Sequence, residues 1–248
     1  MTPPLHKTKG LVLRAVKYGE TSLIVSVYTE LFGLQSYLVQ GVRLATKKSP
    51  ARANLFQPGS LLDLVVYHNE LRQLQRIREF RWAVLYRDLF SDVVKNSVLL
   101  FILELVQKSI RQPECNPDLF AFLEDALLEL DQAPAAVTAN FPLYFLLHFC
   151  AFSGFQLSDP REEDAVILDL REGCFTRQYP QHGNYVDGTV AQSIRELLKV
   201  MQPHELTEIP LQQLQRRRLL ETLELYYALH LPEFGKMKTL PVLQEVLG

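Results

Sequence analysis

Hydrophobic and polar residues alternate along much of the first 80 residues of the chain. Over Thr21–Glu30, the alternation sets three aliphatic residues against two serines and a tyrosine: Leu23, Val25 and Val27 against Ser22, Ser26 and Tyr28. This period of two is typical of a β-strand with one buried face. Similar runs predict five strands, which are Gly10–Tyr18, Thr21–Glu30, Gly33–Val42, Leu61–His68 and Leu71–Glu79.

The connections between these strands predict how they are arranged. Short breaks at Gly19-Glu20 and Leu31-Phe32-Gly33 separate the first three strands, whereas a long connection ending at Pro58-Gly59 precedes the fourth. Five strands connected in this way predict a small closed barrel, for which the OB-fold is the closest named architecture.

From Arg81 onward the hydrophobic period lengthens to about 3.6 residues, which is typical of amphipathic helices. Helices are predicted over Asp92–Ile110, Pro117–Leu130, Thr138–Ser153, Thr189–Met201 and Leu211–Leu231, with a short one after Met237. Pro142 is assigned to the first turn of the third helix, where proline is tolerated. A small hairpin over Asp164–Leu170 and Gly173–Tyr179 is predicted to interrupt the helices.

The change of period near Arg81 predicts two domains and an α+β fold class. Residues 1–80 are expected to form the OB-fold β-barrel. Residues 81–248 are expected to form an α-helical domain with a β-hairpin insertion at about 155–186.

Charge divides at the same place. Residues 1–80 contain 11 Lys and Arg against 5 Asp and Glu, whereas residues 81–248 contain 15 against 23. The whole chain of 248 residues has a formal net charge of only −2, and its 48% hydrophobic content is that of a globular protein. A basic end on a nearly neutral protein indicates a polyanionic partner, and nucleic acid is the first candidate.

The long connection Gly41–Arg52 contains four of these cations: Arg43, Lys47, Lys48 and Arg52. Arg14 and Lys17 on the first strand, and Arg72, Arg76 and Arg78 on one predicted face of the fifth, add to them. Phosphate binding needs cations that displace counterions, without exact geometry. Two alternatives stay open here: the loop is a DNA-binding element or a solvated surface turn.

Three aromatic residues also have two possible roles. Tyr18, Tyr37 and Phe56 either stack on unpaired bases or belong to the core.

Other residue patterns argue against an enzyme, a metal site and a membrane span. The three cysteines are far apart, the histidines have no HxxxH or HExxH spacing, and the glycines form no phosphate loop. No cofactor is predicted, and the cysteine usage is that of a reduced, cytoplasmic protein. The apolar run Phe141–Phe152 is too short for a bilayer and is expected to be a buried helix. The run Arg216-Arg217-Arg218 is interpreted as a solvated helix face, with a dock for an acidic peptide tail as the minority reading.

Several motifs resemble the bacterial RecO recombination mediators over nearly the whole chain. They are Thr8–Arg14, Tyr18–Ser22, Tyr28–Gly33, the loop Gly41-Val42-Arg43 with Lys48-Ser49 and Leu55–Gly59, and the C-terminal Arg218–Glu221 with Tyr226–His230. The resemblance implies an OB-fold that binds single- and double-stranded DNA, and a non-enzymatic protein that anneals complementary strands. It further implies a cytoplasmic, nucleoid-associated protein that acts with RecR to help RecA replace single-strand-binding protein on DNA.

The resemblance and the charge pattern together suggest site residues. Arg14, Lys17, Arg43, Lys47, Lys48 and Arg52 are expected to contact phosphates, with Arg72 and Arg76 as secondary contacts. The helical domain is expected to take the acidic C-terminal tail of single-strand-binding protein, with Arg216–Arg218 as a weak candidate site. RecA would be only an indirect partner.

The chain departs from the family where many members have a four-cysteine zinc site, after Ser153-Gly154-Phe155. Only Cys174 is found in that region here, so four-thiolate coordination within one chain is impossible. A metal-free lobe held by packing is expected instead. Two further alternatives remain from the residues alone: an RNA-binding OB-fold protein, and an adaptor whose basic end meets an acidic protein.

Overall fold

The computed structural model describes residues 4–43, 52–110, 112–159, 162 and 164–247. The chain forms two compact units. The first contains Met1–Arg87 and Ile110–Leu128, and the second contains Asp88–Ser109 and Glu129–Gly248.

The first unit is built on a closed five-stranded barrel, which confirms the predicted fold class. Its strands are β1 (Leu5–Tyr18), β2 (Ser22–Thr29), β3 (Gly33–Val39), β4 (Leu61–Tyr67) and β5 (Leu74–Trp82), and they close in the order β1-β2-β3-β5-β4. The pairing of β3 with β5 is parallel and the others are antiparallel. Alternate aliphatic residues, among them Val25, Val27 and Val66, fill the interior.

The first strand is long because it pairs with two neighbours in succession. Its N-terminal half, from Leu5, pairs with β4, and its C-terminal half pairs with β2. Gly10 lies where the two halves meet, and a Cβ there would come within 2.6 Å of Val27 Cγ1. The strand therefore needs glycine to bend across the barrel interior.

A helix covers one side of the barrel within the first unit. It belongs to α2 (Pro117–Gln132), whose first twelve residues lie in this unit. Leu11 and Tyr28 face each other across β1 and β2 and are both buried. The Tyr28 ring stacks on Phe120 of α2 with ring centroids 6.4 Å apart. The Lys9 ammonium donates to the Glu124 carboxylate at 2.7 Å, which ties β1 to the same helix.

The second unit is mainly helical. Its helices are α1 (Val93–Ser109), the end of α2, α3 (Ala135–Phe152), α4 (Gly188–Leu197), α5 (Gln213–His230) and α6 (Thr239–Val246). A three-stranded sheet accompanies them, with strands β6 (Ile167–Asp169), β7 (Cys174–Thr176) and β8 (Tyr185–Val186) in the order β7-β6-β8. The predicted hairpin is thus confirmed and has a third strand.

Helix α3 is the core helix of the second unit. It is the one described helix whose length and apolarity would suffice to cross a bilayer, and 67% of it is buried. The predicted position of Pro142 is wrong, because α3 begins at Ala135 and Pro142 lies in its interior. An interior proline costs one backbone hydrogen bond and about 3 kcal/mol. Burial of the neighbouring apolar residues, including Phe141 and Phe145, offsets that cost.

Candidate nucleic-acid interface

Three of the predicted phosphate contacts lie at one end of the barrel. Arg43 follows β3, and its guanidinium Nη1 donates to the Gly19 carbonyl at 2.9 Å. Its backbone N–H donates to the Thr21 carbonyl at 3.1 Å. Both contacts hold Arg43 against the β1–β2 turn, next to Lys17 near the end of β1.

Arg52 lies at this end as well. Its backbone N–H donates to the Val42 carbonyl at 2.8 Å. Its guanidinium lies over the Phe80 ring, 5.6 Å from the ring centre. This cation–π contact holds the guanidinium in place. Phe80 packs in turn on Phe56, with centroids 4.7 Å apart. We call Lys17, Arg43 and Arg52 the barrel-end cluster.

The rest of the predicted basic loop falls between the two arginines of this cluster. Lys47 and Lys48 lie in residues 44–51, outside the described residues. The described ends of that segment are adjacent, since Arg52 bonds to Val42. Any contact that Lys47 and Lys48 make with DNA therefore stays a prediction.

Arg14 and Arg76 lie on a different surface, the outside of the sheet. Arg14 is aligned with Ser26, and both point away from the core residues Val25 and Val27. Arg76 is aligned with Leu38 of β3 and is exposed.

We define the outer sheet face by six residues of β1, β2, β3 and β5: Arg14, Val16, Tyr18, Ile24, Leu38 and Arg76. Lys17 has the opposite strand parity, because it is aligned with the buried Leu23.

The prediction that Arg72, Arg76 and Arg78 share one face of the fifth strand is wrong. Arg72 precedes β5, and its N–H donates to the Asn69 carbonyl at 3.0 Å in the connection after β4. Arg78 lies where the β4–β5 register shifts, and it pairs with the adjacent Glu79 at 3.4 Å. The extra residue at a bulge reverses the alternation beyond it. Arg76 alone of the three belongs to the outer sheet face.

Some cations of the first unit are paired with carboxylates and others are not. Lys9 binds Glu124, and Arg81 binds Asp63 at 3.0 Å. The hydrogen bond to Glu124 raises the pKa of Lys9. Within the described ranges, no carboxylate is within ion-pair distance of the exposed cations Arg14, Lys17, Arg72 and Arg76. The unpaired cations are the ones that can bind a polyanion.

The three aromatic residues considered for base stacking, Tyr18, Tyr37 and Phe56, differ in burial. Tyr37 and Phe56 are buried in the barrel core, so they cannot stack on bases. Tyr18 is 55% exposed at the end of β1. In the part of the chain that the structure describes, its ring contacts no other aromatic ring.

The arginine run of α5 has two different environments. Arg216 is half-buried and donates to the backbone carbonyls of Leu211 at 2.6 Å and Leu247 at 3.3 Å. Its burial lowers the pKa of the guanidinium. Arg217 and Arg218 are exposed. Arg216 is thus engaged with the backbone of its own unit, and only the other two are open to a partner.

The three-stranded sheet offers no zinc-binding set among the residues that the structure describes. Burial raises the pKa of the Cys174 thiol, with the charges of Asp169 and Glu172 adding to it, so the thiolate that zinc requires is disfavoured. Asp169 instead accepts hydrogen bonds from the N–H groups of Arg171 and Glu172, and lies 3.3 Å from His182 Nε2. The donor groups do not fit a four-thiolate site.

Sequence reasoning missed the apolar part of the outer sheet face. Strand parity alone would have placed Val16 and Tyr18 beside Arg14, since they are two and four residues further along β1. Their exposure, in contrast, depends on which side of the barrel α2 covers.

Two family models and several known proteins match most of the chain. A family model described as "Recombination protein O N terminal" matches residues 1–86, and one described as "Recombination protein O C terminal" matches residues 91–240. A protein of Phocaeicola vulgatus named "DNA repair protein RecO" is 33% identical over 244 residues, which are 98% of this chain and 100% of that protein. Proteins with the same name from Bacteroides fragilis and Flavobacterium psychrophilum are each 34% identical, over 98% of this chain and 99% of theirs.

Proposed function

Because the chain belongs to the RecO family of DNA repair proteins, we propose that it acts in homologous recombination without an enzymatic step. It binds single- and double-stranded DNA and anneals complementary strands. Together with RecR it helps to load RecA onto DNA that single-strand-binding protein has coated. It would do so in the cytoplasm, at the nucleoid.

One observation supports this function most strongly: the barrel-end cluster lies on the basic module, with Lys47 and Lys48 in the segment between its two arginines. Lys17, Arg43, Lys47, Lys48 and Arg52 would bind phosphates by releasing condensed counterions, a contribution that does not depend on base sequence. Arg14 would add a contact on the outer sheet face, with Arg72 and Arg76 as secondary contacts.

Charge neutralisation gives this module a way to anneal strands. Two single strands repel each other through their phosphates, and cations that bind both lower the cost of bringing them together. The barrel needs to hold the strands only until base pairs form. No nucleophile, general base or metal ion takes part in such a step.

The two predicted domains would have different functions. Residues 1–80 would bind DNA, whereas residues 81–248, with the insertion at about 155–186, would bind protein partners. The acidic C-terminal tail of single-strand-binding protein would bind the helical domain. Arg217 and Arg218 are exposed enough for this role, whereas Arg216 would contribute less because two backbone carbonyls already hold it.

An annealing assay on complementary oligomers tests the function, with the strands bare in one arm and coated with single-strand-binding protein in the other. The protein should accelerate duplex formation in both arms. Acceleration of bare strands alone would leave the DNA-binding role intact and remove the partner role. No acceleration in either arm, and no DNA binding at low salt, would contradict the proposed function.

A further inference from the structure

The outer sheet face combines exposed apolar side chains with unpaired arginines. Val16 is 44% exposed and Tyr18 is 55% exposed, and Ile24 and Leu38 beside them are half-buried. None of these four belongs to the core cluster of the barrel. A strip of this kind on a closed barrel contributes little to stability, and it is available to a ligand.

The register places the strip between its two cations. Val16, Ile24, Leu38 and Arg76 follow one another across β1, β2, β3 and β5, so this row spans about 14 Å at the usual strand spacing. Arg14 and Tyr18 lie on either side of Val16 along β1. The outward positions of β2 and β3 beside this row are serines, as at Ser26 and Ser36. Two exposed carboxylates lie on the same elements: Glu79 of β5, which is paired with Arg78, and Glu20 in the β1–β2 turn. The six residues that define the outer sheet face include two arginines and no carboxylate, so the charge of the face suits a polyanion.

We propose that the outer sheet face binds the unpaired bases of single-stranded DNA, with Tyr18 stacking on a base and Arg14 and Arg76 binding the flanking phosphates. This inference rests on the proposed function and deepens it, because it separates the two kinds of DNA by the surface they use. Single strands would use the face and the barrel-end cluster. A duplex, whose base faces are stacked inside, would use cations alone.

Continuity with the barrel-end cluster supports this assignment. Tyr18 precedes Gly19, whose carbonyl accepts the hydrogen bond from Arg43. One strand could therefore be held by its phosphates at Arg43 while a nearby base stacks on the Tyr18 ring. Base–aromatic stacking tolerates every sequence, because every base has a π-face. A protein that pairs any complementary strands needs that tolerance.

The test compares oligothymidylate with an abasic oligomer of equal length, which has the same phosphates but no bases. The wild-type chain should bind oligothymidylate about tenfold more tightly than the abasic oligomer. Tyr18→Ala should remove this preference, whereas Tyr18→Phe, which keeps the ring, should retain it. Tyr179→Ala is the matched control, since Tyr179 is an exposed tyrosine of the second unit. Affinity for duplex DNA should be the same in all four proteins.

The outcomes distinguish failure of the base-binding assignment from failure of the proposed function. Equal wild-type affinity for the two oligomers would overturn the base-binding assignment and leave the proposed function standing. A preference that survives Tyr18→Ala, with folding verified by circular dichroism, would overturn it too. Absence of binding to both oligomers and to duplex at low salt would instead overturn the proposed function.

Discussion

The Lys9 ammonium and the Glu124 carboxylate lie 2.7 Å apart, and they join strand β1 to helix α2 within the first unit. Arg14 belongs to the same strand, yet it is exposed, and no described carboxylate is paired with it. Two cations five residues apart thus have different roles. Lys9 stabilises the fold, whereas we propose that Arg14 contacts DNA.

Alanine substitutions at these two positions should therefore have opposite effects. Lys9→Ala should lower the free energy of unfolding by about 0.5–1 kcal/mol, as expected for a partly exposed ion pair, and leave DNA affinity nearly unchanged. Arg14→Ala should lower DNA affinity and leave the urea midpoint unchanged. Urea denaturation and fluorescence anisotropy with a labelled oligomer measure the two effects. A large loss of DNA affinity in Lys9→Ala would contradict this division.

The Lys9 pair also has a defined pH dependence. Its hydrogen bond to Glu124 raises the pKa of Lys9 in the folded state, so the stabilisation is fully present below the unfolded pKa of about 10.4. It is lost as the pH rises through the folded pKa. The stability difference between the wild type and Lys9→Ala should thus be constant near neutral pH and shrink only in alkaline solution.

Glu104 is expected to anchor helix α6 in the second unit. Its carboxylate accepts hydrogen bonds from the N–H groups of Lys238 and Thr239, both at 2.8 Å, and from the Thr239 hydroxyl at 2.6 Å. Burial alone would raise the pKa of Glu104, but these hydrogen bonds outweigh it and lower the pKa. Glu104→Gln should cost about 1–2 kcal/mol of unfolding free energy at pH 7.

The sign of the Glu104 effect follows from its lowered pKa. The stabilisation is present above the unfolded pKa of about 4.3 and is lost as the pH falls through the folded value. Urea denaturation at a series of pH values should show the wild type and Glu104→Gln converging in acid. Glu104→Asp is a useful control, because it keeps the negative charge on a shorter side chain. A difference that stays constant from neutral to acid pH would contradict the proposed role of Glu104 as the anchor of α6.

The three-stranded sheet should be independent of metal. We expect substoichiometric zinc in the purified protein and no change of melting temperature with a chelator, because the donor set does not fit zinc. Asp169→Ala, in contrast, should destabilise this region by about 1–3 kcal/mol, since two backbone N–H groups and His182 lose their partner. A stoichiometric metal, or a large loss of stability with chelator, would refute the expectation.

The barrel could be predicted from the sequence because its alternation is local. The spacing of Leu23, Val25 and Val27 indicates a half-buried strand even when the neighbouring strands are not known. The Leu5–Lys9 half of β1 was missed, since its side chains are mostly polar and only its pairing with β4 makes it a strand. Strand β8 was missed because two residues, Tyr185 and Val186, are too few to show a period.

The site was harder to predict than the fold. A bulge opposite Val65 and Val66 moves Arg78 out of the alternation, and such a bulge leaves no signal in a period of two. Pro142 was misplaced for a related reason, since buried packing outweighs the local cost of proline in a helix interior. The positive charge of residues 1–80 could be counted in advance. Which cations pair with carboxylates, as Lys9 and Arg81 do, depends on tertiary contacts.

The most direct test of the central claim is the salt dependence of DNA affinity in the triple variant Lys47→Ala/Lys48→Ala/Arg52→Ala. A variant with the same charge change in the second unit, Arg171→Ala/Lys236→Ala/Lys238→Ala, serves as the control. If the barrel-end cluster and its loop bind phosphates, the triple variant should bind every sequence more weakly. Its plot of log affinity against log salt should be shallower by about 2 for single strands. Affinity and slope equal to those of the wild type would contradict the claim.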